Sequence, residues 1–263
     1  MPIVHTKRLT RRFNGFVAVD SLDLDVEEKE IFGLLGPNGA GKTTTIKMLT
    51  TLLPPSDGIA QVAHWDVRSR PADVRRVIGY VPQMLSADAS LTGYENLVIF
   101  AKLNDVPRDQ LESRVRSALE RMGLTEFSDK LVRTYSGGMV RRLEIAQSAL
   151  HYPRVLFLDE PTIGLVPLAR RAVWEMVRQL RDEFGTTIFL TTHLMDEADA
   201  LCDRIAIMHR SKLVVLGTPK ELKERVGAST LDEVFIHHTG GTIEFGGNIK
   251  EIQRERMTAR RLG

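Results

Sequence analysis

The strongest constraint on the fold of this chain is a glycine-rich segment that follows a short apolar run, Gly36-Pro37-Asn38-Gly39-Ala40-Gly41-Lys42-Thr43. It fits the Walker A pattern Gly-x4-Gly-Lys-Ser/Thr, in which glycines let the backbone turn its amide hydrogens inward around a phosphate. The helix after such a loop adds its positive N-terminal end, Lys42 reaches the β- and γ-phosphates, and the Thr43 hydroxyl can bind Mg²⁺. The segment therefore predicts a nucleoside triphosphate site, although by itself it does not say which enzyme carries it.

A pair of carboxylates follows a buried strand further along the chain. The apolar run 155–158 ends in Asp159 and Glu160, which is similar to a Walker B motif. A strand of a parallel sheet would bring Asp159 to the C-terminal edge of the sheet, beside the loop that carries Lys42. We expect Asp159 to help hold Mg²⁺ and Glu160 to accept a proton from an attacking water molecule.

Hydrophobic periodicity predicts strands towards both ends of the chain and mainly helices between them. The predicted strands are 22–26, 30–35, 58–67, 77–81, 155–158, 187–191, 204–208 and 213–216. The predicted helices are 43–53, 94–103, 108–122, 138–150 and 168–184. Strands that alternate with helices favour an α/β fold with a largely parallel, helix-covered sheet. The run of helices indicates a helical subdomain at about 90–150, inserted into that fold.

The charge balance, the single cysteine and the lack of a long apolar run argue against several kinds of binding, cross-link and membrane insertion. Lys and Arg total 36 against 34 acidic residues, so the net charge of +2 gives no reason to expect nucleic-acid binding. Cys202 has no second cysteine with which to form an internal disulfide. No signal peptide is evident, and no apolar run approaches the roughly 20 residues needed to span a bilayer. Any role at a membrane is therefore expected to depend on a partner.

The segment Tyr135-Ser136-Gly137-Gly138-Met139 resembles the Leu-Ser-Gly-Gly-Gln signature of ATP-binding-cassette proteins. Ser136 and the amides after it would open a helix and form a second anion site. The resemblance implies that this site faces the γ-phosphate held by another subunit. Two cassettes would then pack head-to-tail and enclose two ATP molecules between them. The second cassette would be either another copy of this chain, which gives a homodimer, or a different, paired cassette protein.

Other landmarks of this family occur in the expected order, and the resemblance covers about residues 3–222. Gln83 matches the Q-loop glutamine, which senses Mg²⁺ and the attacking water. His193 matches the switch histidine that contacts the γ-phosphate, and Phe13 lies upstream of the first predicted strands, where the family places an aromatic that stacks on adenine. Taken alone, Gln83 would be an ordinary loop residue, His193 an ordinary strand-end residue and Phe13 an ordinary core residue.

The resemblance implies a complete set of site residues, with ATP and Mg²⁺ as cofactors. The implied catalytic residues are Glu160, His193 and Gln83, and the implied Mg²⁺ ligands are Thr43, Gln83 and Asp159. The implied ATP-binding residues are Phe13, Gly36, Pro37, Asn38, Gly39, Ala40, Gly41, Lys42, Thr43, Thr44, Ser136, Gly137 and Gly138.

The fold that the family implies is the P-loop NTPase cassette with an antiparallel β subdomain. We expect an ATP-binding domain at 1–220 and a C-terminal extension at 221–263.

Segments 91–97, 135–143 and 231–235 are similar to the ATPase subunits of daunorubicin/doxorubicin-resistance exporters, of the ABC-2 group. This implies ATP hydrolysis that powers export of a drug or other hydrophobic or amphiphilic compound through separate transmembrane subunits. The chain would then be peripheral, at the cytoplasmic face of the cell membrane. Arg254, Arg256, Arg260 and Arg261 form a basic tail, which is either solvated or in contact with anionic lipid.

One position departs from the family pattern. After Glu160 the family continues Pro-Thr-x-Gly-Leu-Asp-Pro, whereas Val166 stands here in place of the D-loop aspartate. That aspartate would cap a helix with Pro167 at its first position, and the loss of an N-cap typically costs about 0.5–2 kcal/mol. Either hydrolysis is weakened or communication between the two ATP sites is altered, with ATP binding intact, or the valine is a tolerated variant. Weakened hydrolysis would give an ATP-gated dimerisation or regulatory cassette.

Two other classes of nucleotide-binding protein fit less well. Cassette proteins of translation carry two cassettes in one chain, and those of DNA repair carry a long coiled-coil insertion, whereas one cassette without such an insertion is evident here. A GTPase is disfavoured because no Asn-Lys-x-Asp segment is present.

Overall fold

The computed structural model describes residues 2–240, which form two sheets surrounded by helices. The strands are β1 Val4–Phe13, β2 Phe16–Val26, β3 Ile31–Leu35, β4 Asp57–Val62, β5 Trp65–Asp66, β6 Ile78–Val81, β7 Val155–Asp159, β8 Thr187–Thr192, β9 Arg204–His209 and β10 Lys212–Gly217. The helices are α1 Lys42–Leu49, α2 Pro71–Val77, α3 Gly93–Leu103, α4 Arg108–Arg121, α5 Gly137–Ala149, α6 Pro167–Phe184, α7 Met195–Leu201, α8 Pro219–Val226 and α9 Leu231–Thr239.

The larger sheet has six strands in the order β10-β9-β3-β8-β7-β6, and only β10 pairs antiparallel. The smaller sheet, β2-β1-β4-β5, is antiparallel throughout. Helices α3 to α5 lie in the chain between β6 and β7, two strands that pair directly. The predicted fold class is therefore confirmed: a mainly parallel, helix-covered sheet with an antiparallel β subdomain and inserted helices.

The central strands β3, β7 and β8 are buried over their whole length because both faces of the sheet are covered. Phe32, Phe157 and Phe189 lie in register across these strands, with ring centroids 5.5 and 5.4 Å apart between neighbours. They pack into one hydrophobic cluster, and the alternate residues of the same strands pack into a second on the opposite face. This rigid core fixes the ends of β3, β7 and β8, where the predicted site residues begin.

Several element boundaries differ from the sequence predictions. The helix after the glycine-rich loop ends at Leu49 rather than residue 53, and Thr51 follows with a positive φ of 64°. The predicted strand 58–67 is a hairpin, because Ala63 and His64 both have positive φ values and form a tight turn between β4 and β5. Strand β6 begins at Ile78 rather than at residue 77. Residue 77 is the last residue of α2, a helix that was not predicted from the sequence.

Strand β1 was also not predicted, because four basic residues and a bulge interrupt its alternation. The pairing register with β2 shifts between Thr6 and Leu9, and Arg8 has a φ of 48° there. Both side chains at the shift are nevertheless buried. A bulge of this kind moves later residues to the opposite face of the strand, which hides the period of two.

The chain continues past the last strand with α8 and α9, which pack on the main core. Leu222, Leu231, Val234 and Phe235 are buried and belong to the cluster beneath the parallel sheet. A domain boundary near residue 220 stays a prediction, and the basic tail lies outside the described residues. None of the helices within residues 2–240 has the length and apolar character needed to cross a bilayer.

Candidate nucleotide site

The glycine-rich loop connects buried strand β3 to helix α1, as its sequence predicts. Lys42 begins the helix, and its side chain is only 5% exposed. Its Nζ donates hydrogen bonds to the carbonyl oxygens of Gly36 at 2.8 Å and Pro37 at 3.3 Å. The loop therefore folds around the lysine ammonium group, which supplies a positive charge at the N-terminus of a helix, where anions bind.

Gly41 is the N-cap of α1, and the loop needs a glycine there for two reasons. Its φ of 108° is in the left-handed region, and a Cβ added to it would lie 2.4 Å from the carbonyl oxygen of Ala18. Gly39 also has a positive φ, of 80°, but an added Cβ would have no heavy atom within 4 Å. Both positions therefore require a left-handed backbone, but only Gly41 lacks the space for a side chain.

We expect Gly41→Ala to destabilise the protein more than its matched control, Gly39→Ala. Gly39→Ala should cost about 1–2 kcal/mol, the usual penalty for a left-handed alanine. Gly41→Ala adds a clash with a backbone oxygen and should cost about 1–3 kcal/mol more. Urea unfolding of both variants measures the difference. Equal losses of stability would contradict the packing assigned to Gly41.

A cluster of oxygen atoms lies at the end of β7, next to the start of α1. Asp159 is buried, and its Oδ1 accepts a hydrogen bond from the Thr43 hydroxyl at 3.1 Å. The same carboxylate oxygen accepts from the Thr191 hydroxyl, on neighbouring strand β8, at 2.6 Å. Thr191 could not be identified from the sequence, because its partner is set by the pairing of β7 with β8.

Glu160 directly follows β7 and has a strained backbone. Its φ is 50°, and its amide donates to both the carbonyl oxygen and the hydroxyl of Thr191, each at 3.1 Å. Non-glycine residues held in this conformation cluster at functional sites. The turn directs Glu160 towards Lys42, whose Nζ lies 3.1 Å from Oε1, and towards His193, whose Nδ1 lies 2.8 Å from Oε2.

The charge of Glu160 is stabilised by its neighbours. Burial alone would raise the pKa of this carboxyl group, but the hydrogen bond with His193 and the charge of Lys42 outweigh burial and lower the pKa below its ordinary value of 4.5. Glu160 is therefore ionised at neutral pH and can accept a proton. A phosphate bound in the loop would compete for Lys42, which would weaken this ion pair and make the carboxylate more basic.

The residues at this site fit a magnesium–triphosphate complex. Within residues 2–240 no group of three or more His, Cys, Asp or Glu side chains could hold a metal ion without other ligands. Mg²⁺ is usually bound by one or two protein oxygens together with substrate phosphates and water. The Thr43 hydroxyl and the Asp159 carboxylate, next to the lysine loop, provide oxygens of that kind.

The predicted signature segment lies at the start of α5, as expected for an anion site. Ser136 is the N-cap, and its hydroxyl accepts a hydrogen bond from the Met139 amide at 3.3 Å. An added Cβ at Gly138 would lie 2.9 Å from the Cβ of Ala169, in the first turn of α6. The helix start is therefore packed closely against the segment that follows the D-loop.

Val166 is the N-cap of α6 and provides no side-chain hydrogen bond to the helix. Its side chain is 66% exposed, Pro167 follows at the first helical position, and the first turn has no acidic residue. The backbone is extended, as at capped helix starts, so the position could accept an aspartate without rearrangement. The site thus has the backbone of a capped helix without the capping group.

Two other predicted residues lie outside the Lys42–Glu160 cluster. Phe13 is the last residue of β1, rather than upstream of the first strand; it is 40% exposed, and the Arg11 guanidinium lies 4.5 Å from its ring centroid. Gln83 is exposed in the loop after β6, and its carbonyl oxygen accepts a hydrogen bond from buried Arg141 at 2.7 Å. The roles of both side chains towards a nucleotide stay predictions.

The chain is similar to known proteins over most of its length. Residues 19–163 match the family model described as ABC transporter. The chain is 47% identical to the daunorubicin/doxorubicin resistance ATP-binding protein of Streptomyces peucetius over 87% of this chain and 69% of that protein. It is 35% identical to the linearmycin resistance ATP-binding protein of Bacillus subtilis over 89% of this chain and 75% of that protein.

Solved structures show the same architecture. One described as the ATP-binding subunit of an ABC transporter superposes with a TM-score of 0.81 and 27% identity, covering 90% of this chain and 99% of that one. This chain is an ATP-binding and ATP-hydrolysing cassette of the ABC transporter family.

Proposed function

We propose that the chain powers an exporter through separate transmembrane subunits, at the cytoplasmic face of the membrane. The cargo is a drug or another hydrophobic or amphiphilic compound. The observation that carries the ATPase part is the contact of Glu160 with both Lys42 and His193, beside the Thr43–Asp159 pair. The names of the relatives, which are resistance proteins against daunorubicin, doxorubicin and linearmycin, support export of such compounds.

In the proposed reaction, Lys42 and the loop amides bind the β- and γ-phosphates, and Phe13 stacks on adenine. Thr43, Asp159 and Gln83 hold Mg²⁺, which supplies charge neutralisation on the phosphates. Glu160 accepts a proton from the attacking water. His193 already uses Nδ1 for Glu160, so Nε2 is the ring nitrogen left for a phosphate oxygen. Positioning and charge stabilisation provide most of the rate enhancement.

We infer that two cassettes close head-to-tail, so that Ser136 to Gly138 of one chain meet the γ-phosphate held by the other. The free backbone amides at the start of α5 provide an anion site suited to that contact. The γ-phosphate would then link the two chains, and its hydrolysis would remove an anion from the interface. The dimer opens as a result, which is a population shift driven by a ligand.

The transmembrane partner is expected to contact the helices inserted after Gln83. Met84 and Leu85 follow Gln83 directly and are 81% and 56% exposed. Leu103, at the end of α3, is 72% exposed. Exposed apolar side chains that lie together, as those of consecutive residues Met84 and Leu85 do, favour a surface that binds another protein. Motion of the inserted helices would reach the membrane subunits through such a contact.

Transport by the reconstituted complex tests the proposal. Inside-out vesicles that contain the chain and its membrane subunits should accumulate daunorubicin when ATP is supplied. The same vesicles with Lys42→Met should not. Accumulation without ATP dependence, or a complex that hydrolyses ATP without moving any hydrophobic compound, would contradict the proposed function.

The alternative of an ATP-gated cassette with weak hydrolysis is favoured by one observation, the missing cap at Val166. We expect Val166→Asp to raise stability by about 0.5–2 kcal/mol, because aspartate accepts from the free amides of α6. Turnover should rise as well, because the D-loop becomes better ordered. Urea unfolding and phosphate release measure both effects, with Val166→Ala as the control that adds no cap. An unchanged rate would remove the hypothesis that Val166 weakens hydrolysis.

A further inference from the structure

The loop that carries Gln83 has no helix or strand of its own between β6 and α3, yet buried side chains of α5 hold its first half, residues 82–87. Arg141 is 3% exposed and donates from Nη1 to the carbonyl oxygen of Pro82 and from Nη2 to that of Gln83, each at 2.7 Å. The two donors of one guanidinium thus bind two successive carbonyl groups. This fork geometry is specific to arginine, because lysine has a single nitrogen.

The middle of the loop, at Ser86 and Ala87, is held by Glu144, one turn further along α5. Its Oε1 accepts hydrogen bonds from the amide and the hydroxyl of Ser86 and from the amide of Ala87. Its Oε2 forms an ion pair with Arg141 Nη1 at 3.1 Å, and both side chains are almost fully buried. Buried charges are costly unless they are paired, so the pair is stable only while the loop keeps these contacts.

Helix α5 carries this ion pair and also the signature segment. Ser136 caps the helix, and Arg141 lies five residues further on, about 7.5 Å along the helix axis at 1.5 Å per residue. The distance is too short for the helix to bend much between them, so the pair and the anion site move together. At its other end α5 is packed on β6, where an added Cβ at Gly79 would lie 2.2 Å from the carbonyl oxygen of Ser148.

We propose that Arg141 and Glu144 are positioning residues that hold the Gln83 loop to the signature helix, so that Gln83 moves with Ser136. The inference rests on the proposed function, in which Gln83 serves the nucleotide of its own chain and Ser136 that of the partner. Docking of the partner's nucleotide on α5 would thereby set the position of Gln83. The ion pair is a connection between the two ATP sites of the dimer.

A double-mutant cycle between Arg141→Lys and Gln83→Ala tests the proposal. Each single variant should lower kcat by about tenfold to a hundredfold, the effect of a small misplacement of a catalytic group, and leave the Kd for ATP within about twofold. Because Arg141 acts through Gln83, the double variant should be no slower than the slower single variant. If the two losses of kcat multiply, or if Arg141→Lys matches the parent, the proposal is wrong.

Two further variants make the result specific. Arg142→Lys is the matched control: this arginine is next in the sequence, and its Nη1 donates to the carbonyl oxygen of Met122, away from the Gln83 loop. It should keep the parental rate, and a loss equal to that of Arg141→Lys would contradict the assignment. If Arg141→Lys does not fold, the same cycle is run with Glu144→Gln, which keeps the shape of the side chain and removes its charge.

The outcomes separate this inference from the proposed function. Absence of ATP hydrolysis in the parent complex would contradict the proposed function. Hydrolysis in the parent together with independent effects of Arg141 and Gln83 would contradict only the positioning role of the ion pair.

Discussion

Replacing Lys42 with methionine should abolish ATP binding, with a Kd raised by at least about a hundredfold. Methionine keeps much of the side-chain volume but cannot donate hydrogen bonds to phosphate oxygens, and bonds to charged groups contribute about 1.5–3 kcal/mol each. Titration with a fluorescent ATP analogue measures the change. Lys47→Met is the matched control, because Lys47 is exposed on the same helix. Binding of the analogue by Lys42→Met at parental affinity would contradict the assignment of the loop.

The same substitution should lower stability, because it leaves buried Glu160 without its lysine partner. Removal of one member of a buried ion pair typically costs about 3–5 kcal/mol, and the remaining contact with His193 should keep the loss near the lower value.

The loss should depend on pH. The pKa of Glu160 is lowered in the folded parent, so the stability that Glu160 provides is present above its unfolded value of 4.5 and is lost as pH falls through the folded value. The difference between parent and variant should therefore be largest near pH 7 and shrink on acidification. Urea unfolding at several pH values measures it, and a difference that grows on acidification would contradict the pairing.

Replacing Glu160 with glutamine should stop hydrolysis and leave ATP binding intact. The amide oxygen of glutamine can still accept a hydrogen bond from Lys42, and its NH2 group can donate to an unprotonated His193 Nδ1. Glutamine cannot take a proton from water, however, and loss of a general base costs about 10²–10⁴-fold in rate. Because the γ-phosphate is retained, an ATP-bound dimer should accumulate. Phosphate release and light scattering with Mg-ATP measure the two effects.

The control for this variant is Glu175→Gln, an exposed position on α6. It should hydrolyse ATP at the parental rate. Parental hydrolysis by Glu160→Gln would show that another group accepts the proton. Loss of hydrolysis without an ATP-dependent dimer would leave the base assignment standing and contradict the head-to-tail closure.

The parts of the site that could be predicted from sequence are those whose chemistry is local. The glycine-rich loop and the Asp159–Glu160 pair each lie within a few residues of a buried strand end, so their order along the chain nearly determines their placement. The helices α3, α4 and α5 agree with the prediction to within one residue at each end, because their apolar positions repeat with the helical period.

The rest depended on contacts between residues that are distant in sequence. Thr191 reaches Asp159 only because β8 pairs with β7, and this strand order is not encoded near either residue. Arg141 and Pro82 are 59 residues apart, and a buried arginine at that position looks in the sequence like one more basic residue of a polar helix. The elements β1, α2 and α7 to α9 were not predicted, because each lacks either a clean period or sufficient length.

A structure of Glu160→Gln bound to Mg-ATP tests most directly whether two chains share each nucleotide. We expect a dimer in which one γ-phosphate lies within about 3 Å of Lys42 Nζ from one chain and of the Ser136 hydroxyl from the other. A closed assembly in which the serine-glycine helix start of the second chain lies away from every bound nucleotide would show that the two chains do not share it.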